Sequence, residues 1–161
     1  MRRASLAVAS FEELYLGFFS VAGLPPRVLV ADSSGTTAFT LTLHDVQVTV
    51  MHTASTPDIA FVLVEYGAVP ASNSRASWDM LMDANLQMLG RHTPIFGRNP
   101  LNGEVVLRLG CPLDGTTPVD LYQRLISMVS AARAWREHSS LGDQQAGHPP
   151  NTPGLHPGMF A

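Results

Sequence analysis

The chain has 161 residues and a mass of 17.3 kDa, with 45% hydrophobic and only 14% charged residues; that suits one packed core, leaves little room for two domains and excludes wholesale disorder. Ten arginines, no lysine and thirteen acidic residues give a net charge of −3, which argues against nucleic acid as a partner and excludes a lysine nucleophile or Schiff base. The single cysteine, Cys111, excludes an internal disulfide and a multi-cysteine metal cluster and suits a reducing cytosol.

In chain order, the first element announced is a helix. Ser10 and Glu13 have capping-box spacing, and Phe11, Leu14, Tyr15, Phe18 and Ala22 follow as an amphipathic stripe. Gly23 offers a left-handed stop and Pro25-Pro26 forbids continuation. Three strands come next. Thr37 to Leu43 alternates with Phe39, Leu41 and Leu43 on one side, and Asp45 starts a turn into Val46, Val48 and Val50. Asp58 to Tyr66 is apolar on both faces: Ile59, Phe61 and Leu63 point one way, Val62 and Val64 the other. A strand of that kind is expected to be covered on both sides. The short connections imply antiparallel neighbours.

After a loop signal at Pro70-Ala71-Ser72-Asn73-Ser74, the spacing predicts a second helix from Arg75 to Leu89, with Trp78, Leu81, Met82, Asn85, Leu86 and Leu89 along one flank. Ile95 and Phe96 then enter a hairpin whose turn holds Asn102-Gly103, and Glu104 to Leu109 returns. Thr117, Pro118 and Asp120 open a third helix with the stripe Leu121, Leu125, Met128, Val129, Ala132 and Trp135. The order α-βββ-α-ββ-α is solved by an antiparallel sheet with segregated helices, so the class is α+β. Residues 1–138 are expected to form the domain. Residues 139–161, with four glycines and four prolines, are expected to form an irregular tail.

Nothing in this order carries a catalytic signature. There is no phosphate loop, dinucleotide fingerprint, His-Glu-x-x-His or Gly-x-Ser-x-Gly. The histidines at 44, 52, 92, 138, 148 and 156 lack metal-ligand spacing, and Cys111 reads as a small buried hydrophobe without an identifiable base. Glu12 and Glu13 point about 100° apart on a helix and do not face one site. No cofactor, metal or catalytic residue is expected. The longest apolar run, Ile59 to Val64, cannot span a bilayer, and Met-Arg-Arg is followed by no continuous apolar segment, so neither a membrane helix nor a secretory signal is expected.

What remains is an excess of apolar residues. Phe18 and Phe19 are adjacent and cannot both follow one stripe, and Met80, Met82 and Met88 widen the apolar arc of the second helix. Any one of these residues is ordinarily core. Together they point to apolar surface for a partner.

From Phe11 to about Arg136 the chain resembles the class I type III secretion chaperones, the Tir-chaperone (CesT) family. The residues that carry the resemblance are Phe11-Glu12-Glu13-Leu14 through Gly23-Leu24-Pro25, Asp32 and Gly35, and Phe61 to Pro70. They continue with Leu81 to Leu86, Gly97 to Leu107, Pro112-Leu113, and Leu121, Leu125, Ala132 and Trp135. The resemblance implies a five-stranded antiparallel sheet with three helices in a homodimer, a bacterial cytoplasmic location and no enzymatic activity. Its implied partners are the N-terminal segment of a secreted effector, a second copy of the chain and the secretion ATPase. By that resemblance the dimer is built from Trp78, Met82, Leu86, Leu89, Ile95 and Phe96. The effector is expected to add as an extended strand to a free sheet edge, with Phe18, Phe19, Phe39, Leu41 and Val62 as apolar contacts and Phe19, off the helical stripe, as the exposed one. The pI near 6.0 is less acidic than in many members. The alternatives are a small α+β scaffold docking a folded partner and a cysteine-dependent enzyme using Cys111.

Overall fold

The computed structural model describes residues 10–26, 28–88, 90 and 92–146. Helix α1, Phe11–Ala22, starts where Ser10 Oγ accepts from Glu13 N–H at 3.1 Å and stops at Gly23. The φ of +68° there is one that glycine adopts without a Cβ penalty. Strands β1 (Thr36–Leu43), β2 (Val46–Thr53) and β3 (Ile59–Gly67) follow. A short 3₁₀ turn at Ala71–Asn73 leads into helix α2, Ser74–Gln87, and then come β4 (Ile95–Arg98) and β5 (Val105–Pro112). A second 3₁₀ turn at Leu113–Gly115 precedes helix α3, Pro118–Ala146. The five strands form one antiparallel sheet in the order β1-β2-β3-β5-β4. This is the α+β arrangement the sequence implies.

Two local devices fix the chain path. The β1–β2 hairpin closes through His44 and Asp45, at φ +47° and +66°, the backbone of a type I′ turn built without glycine. Thr117 and Asp120 cap α3 reciprocally: Asp120 N–H donates to Thr117 Oγ1 at 3.1 Å, and Thr117 N–H donates to Asp120 Oδ2 at 3.3 Å.

The core lies between one face of the sheet and the helices α1 and α3. Val46, Val48, Val50, Ala60, Val62, Val64, Val105 and Cys111 supply the sheet side, against Leu14, Phe18, Leu121, Leu125, Val129 and Ala132. The two helices cross so closely at Gly17 that a Cβ there would overlap the Pro118 ring. At the far end, Arg136 donates to three carbonyls: Nε to Tyr66 O at 3.0 Å, Nη1 to Asp45 O at 2.7 Å and Nη2 to Glu65 O at 2.7 Å. One guanidinium therefore ties α3 to the β1–β2 turn and to the bulge between Glu65 and Gly67.

Two expectations need correction. Strand β3 is fully covered on one face only: Ile59, Phe61 and Leu63 lie half-buried on the face opposite Val62 and Val64. The Arg108 guanidinium sits 5.4 Å from the centre of the Phe61 ring on that side. Residues 139–146, expected to open the irregular tail, continue α3. Extending an existing helix fixes one residue per hydrogen bond, far cheaper than nucleation, and the first proline after Pro118 is Pro149. Residues 147–161, and with them His148 and His156, lie outside the described residues.

Candidate functional site

A sheet has two edges, here β1 and β4, and their backbone groups are spent differently. On β4, Asn85 of α2 acts as a substitute strand: its Oδ1 accepts from Phe96 N–H at 2.7 Å and its Nδ2 donates to Phe96 O at 2.9 Å. On β1, Thr36 O accepts from Asp32 N–H at 2.9 Å, from outside the β1–β2 ladder. Alternate residues of a strand direct their N–H and C=O to the same side, so Ala38, Thr40 and Thr42 share the outward phase of Thr36. The pairing of Leu43 with Val46 around a two-residue turn sets the same phase from the other end. Beyond the Ala31–Thr37 bridge, whose bonds flank it at Thr36 and Ala38, the outward groups of Thr40 and Thr42 make no backbone bond to another strand among the described residues.

The odd residues of β1 face α1. Phe39 packs against the rings of Phe11, Tyr15, Phe18 and Phe19 at centroid distances of 6.2, 5.0, 5.8 and 5.4 Å. Tyr15 and Phe19 of α1, Phe39 and Leu41, and the backbone of Ala38, Thr40 and Thr42 line a groove of about 550 Å³. Leu24, Pro25, Val28 and Leu29 form its opposite bank. A second hollow of about 480 Å³ continues it toward the start of α1, past Phe11, Ala31, Thr37 and His52. The groove thus offers an apolar floor beside a row of unpaired amides and carbonyls, which suits an extended peptide.

The bank is held at one end. Ala31 pairs with Thr37 as an isolated antiparallel bridge. Asp32 Oδ1 accepts from Ser34 Oγ, Ser34 N–H and Thr36 N–H at 2.6, 2.8 and 3.0 Å, and these bonds, led by the Ser34 hydroxyl, hold its carboxyl below the ordinary range.

The residues expected to touch an effector divide. Phe39 and Leu41 line the groove, half-buried. Phe18 and Val62 are fully buried in the core and offer no accessible surface. Phe19, expected to be exposed, retains only 9% of its surface: a helix packed on both β1 and α3 buries more than one stripe, and the Phe19 ring lies tilted against Tyr15 at 4.6 Å and edge-on to Phe18 at 5.6 Å. Tyr15, Leu24, Val28 and Leu29 were not among the expected contacts. Tyr15 lies on the α1 stripe and reads as core, and the run Val28-Leu29-Val30 is too short to announce a strand.

A second apolar area lies on α2 and β4. Leu86, Met80, Met82 and Ile95 are 76%, 54%, 46% and 44% exposed. Trp78 and Phe96 are half-buried against the core, Phe96 edge-on to Tyr66 at 5.3 Å. Leu89 lies outside the described residues. Cys111 is fully buried; burial pushes its thiol up, against the opposing pull of Arg124, so the reactive thiolate is disfavoured. Among the described residues, no three His, Cys, Asp or Glu side chains are grouped to hold a metal ion.

A family model of the Tir chaperone protein (CesT) family matches residues 17–136. Among solved structures, the HopA1–SchA chaperone–effector complex contains a chain similar at TM-score 0.61 and 17% identity, over 79% of this chain and 93% of that one. The ExsC–ExsE complex matches at TM-score 0.61 and 21% identity over 77% and 89%. The ExoT–SpcS complex from Pseudomonas aeruginosa matches at 0.52 and 20% over 77% and 95%. At these identities the likenesses show the fold. No curated protein matches the sequence.

Proposed function

The chain belongs to the Tir chaperone protein (CesT) family, and from that premise we propose that it holds the N-terminal segment of a secreted type III effector in extended form along β1, keeping it stable and competent for export. The observation that carries this reading is the open β1 edge beside an apolar groove, in contrast to the opposite edge, β4, where Asn85 already holds the backbone of Phe96. The outward groups of Ala38, Thr40 and Thr42 pair with any backbone, and Phe39, Leu41, Tyr15 and Leu29 receive alternate apolar side chains. Backbone pairing tolerates sequence, which suits a carrier better than an enzyme. The reading assigns the groove no catalysis.

The same reading makes the protein a homodimer through α2 and β4, using Trp78, Met82, Leu86, Leu89, Ile95 and Phe96, and a protein of the bacterial cytoplasm. None of the described helices is long and apolar enough to cross a membrane. Delivery to the secretion ATPase is the step that follows capture. Co-expression with an N-terminal effector fragment tests the proposal: a stable complex in which the fragment gains strand structure is expected. A complex formed with the folded remainder of the effector instead would favour a scaffold role and overturn this one.

A further inference from the structure

The segment that forms the far bank of the groove is itself strand-like. Val28-Leu29-Val30 alternates, with Val28 and Val30 exposed at 90% and 74% and Leu29 packed against the core. It already pairs antiparallel with β1 at one point, Ala31 opposite Thr37, with the adjoining bond from Asp32 N–H to Thr36 O at 2.9 Å. Carried on by the same register, Val30 falls opposite Ala38, Leu29 opposite Phe39 and Val28 opposite Thr40. In that phase Val30 directs its N–H and C=O at Ala38, beside the bridge, and Val28 directs its own at Thr40, whose outward groups are left open. Instead the segment parts from β1 beyond this bridge, and the groove lies between Val28-Leu29 and β1. Two apolar, exposed valines beside an unpaired edge are an unspent complement to it.

We propose that residues 28–31 are a built-in strap: they zip onto Ala38–Thr40 of β1 when no ligand is present, close the groove, and yield to an incoming strand that takes the same backbone groups. The inference rests on the reading of β1 as the binding edge. The anchor at Asp32 and the bridge at Ala31 fix the register, so closing leaves Ala31 and Asp32 in place. An empty groove is then shielded from adventitious strands, and a ligand must compete with the strap at every capture. Its apparent affinity is lowered by the fraction of molecules whose strap is closed.

The test needs no effector. In the full chain, Val28→Cys and Thr40→Cys are combined; both positions are exposed, and a disulfide forms only if their Cα atoms come within about 7 Å. Mild oxidation is expected to give an intramolecular cross-link, read by mass and by loss of two titratable thiols, with buried Cys111 untouched. The probe is a synthetic peptide copying residues 26–33, followed by NMR at the amides of Ala38, Thr40 and Thr42. It is expected to bind the reduced protein and not the oxidised one, and to bind a Val30→Pro variant, whose strap has lost a donor to β1, about threefold or more tighter than wild type. Failure of the cross-link to form overturns the proposal, as does equal binding to the oxidised and reduced forms or unchanged affinity in Val30→Pro. A chaperone reading that fails for want of an effector would leave the cross-link and the peptide shifts in place, so the two failures are separable.

Discussion

Arg136 has the three carbonyls of Asp45, Glu65 and Tyr66 as acceptors, and two of them belong to backbone that is costly to hold. The Asp45 turn keeps two non-glycine residues at positive φ, and the bulge at Glu65 breaks the β3–β5 ladder. Hydrogen bonds from a charged donor contribute about 1.5–3 kcal/mol each, less where water can replace them. Arg136→Ala is therefore expected to cost about 2–4 kcal/mol in urea unfolding, and Arg136→Lys, a single point charge without the planar fork, to recover only part of it. Phe19 makes the opposite point about reading residues singly. Its place beside Phe18 marked it for the surface, but α1 is sandwiched between β1 and α3, and contacts with Tyr15 and Phe39 bury it. A carboxylate at that position has no partner, so Phe19→Asp is expected to destabilise by on the order of 4 kcal/mol, read as a large drop in Tm.

At the level of elements, α1, α3 and the five strands were legible because each carries its own signal: a cap, a 3.6 or 2.0 period, and a stop. Elements defined by partners were not. The strap at Val28–Ala31 is too short for a strand signal and owes its position to Leu29 on the core and to one bridge. Asn85 reads from sequence as one more position on the α2 flank, yet it is spent on Phe96 eleven residues away. Residues 139–146 at the end of α3 carry no apolar period to announce a helix and no proline to end one. The backbone phase of β1, by contrast, makes a sharp expectation. Proline lacks the N–H, so at Thr40, whose N–H points outward, it is tolerated by the β1–β2 ladder. At Phe39, whose N–H faces Val50, it is not. Thr40→Pro is expected to keep the wild-type circular dichroism and lose effector binding at least tenfold, a loss of about 1.4 kcal/mol or more, whereas Phe39→Pro is expected to unfold in the same measurement.

For the whole molecule, the two apolar areas lie on different elements: the groove between α1 and β1, and the exposed row Met80, Met82, Leu86 and Ile95 on α2 and β4. A stable dimer through the second area would bury on the order of 1,200 Å² or more. Leu86, at 76% exposure, contributes little to the protomer's own core, so Leu86→Arg is expected to halve the mass seen by light scattering at micromolar concentration while leaving the helix content unchanged. A wild-type mass equal to one 17.3 kDa chain would remove the dimer from the proposal.

The unequal treatment of the two sheet edges also governs how copies of the chain can meet. Joining β1 of one molecule to β4 of the next would be a head-to-tail contact, which grows into a filament wherever its rotation does not close a ring. Asn85, by occupying the backbone of Phe96, blocks one half of every such joint. What remains is β1 against β1, a self-complementary meeting that is complete after two molecules. A single amide side chain on α2 thereby removes the head-to-tail joint from the ways in which copies of this chain can meet through their sheet edges.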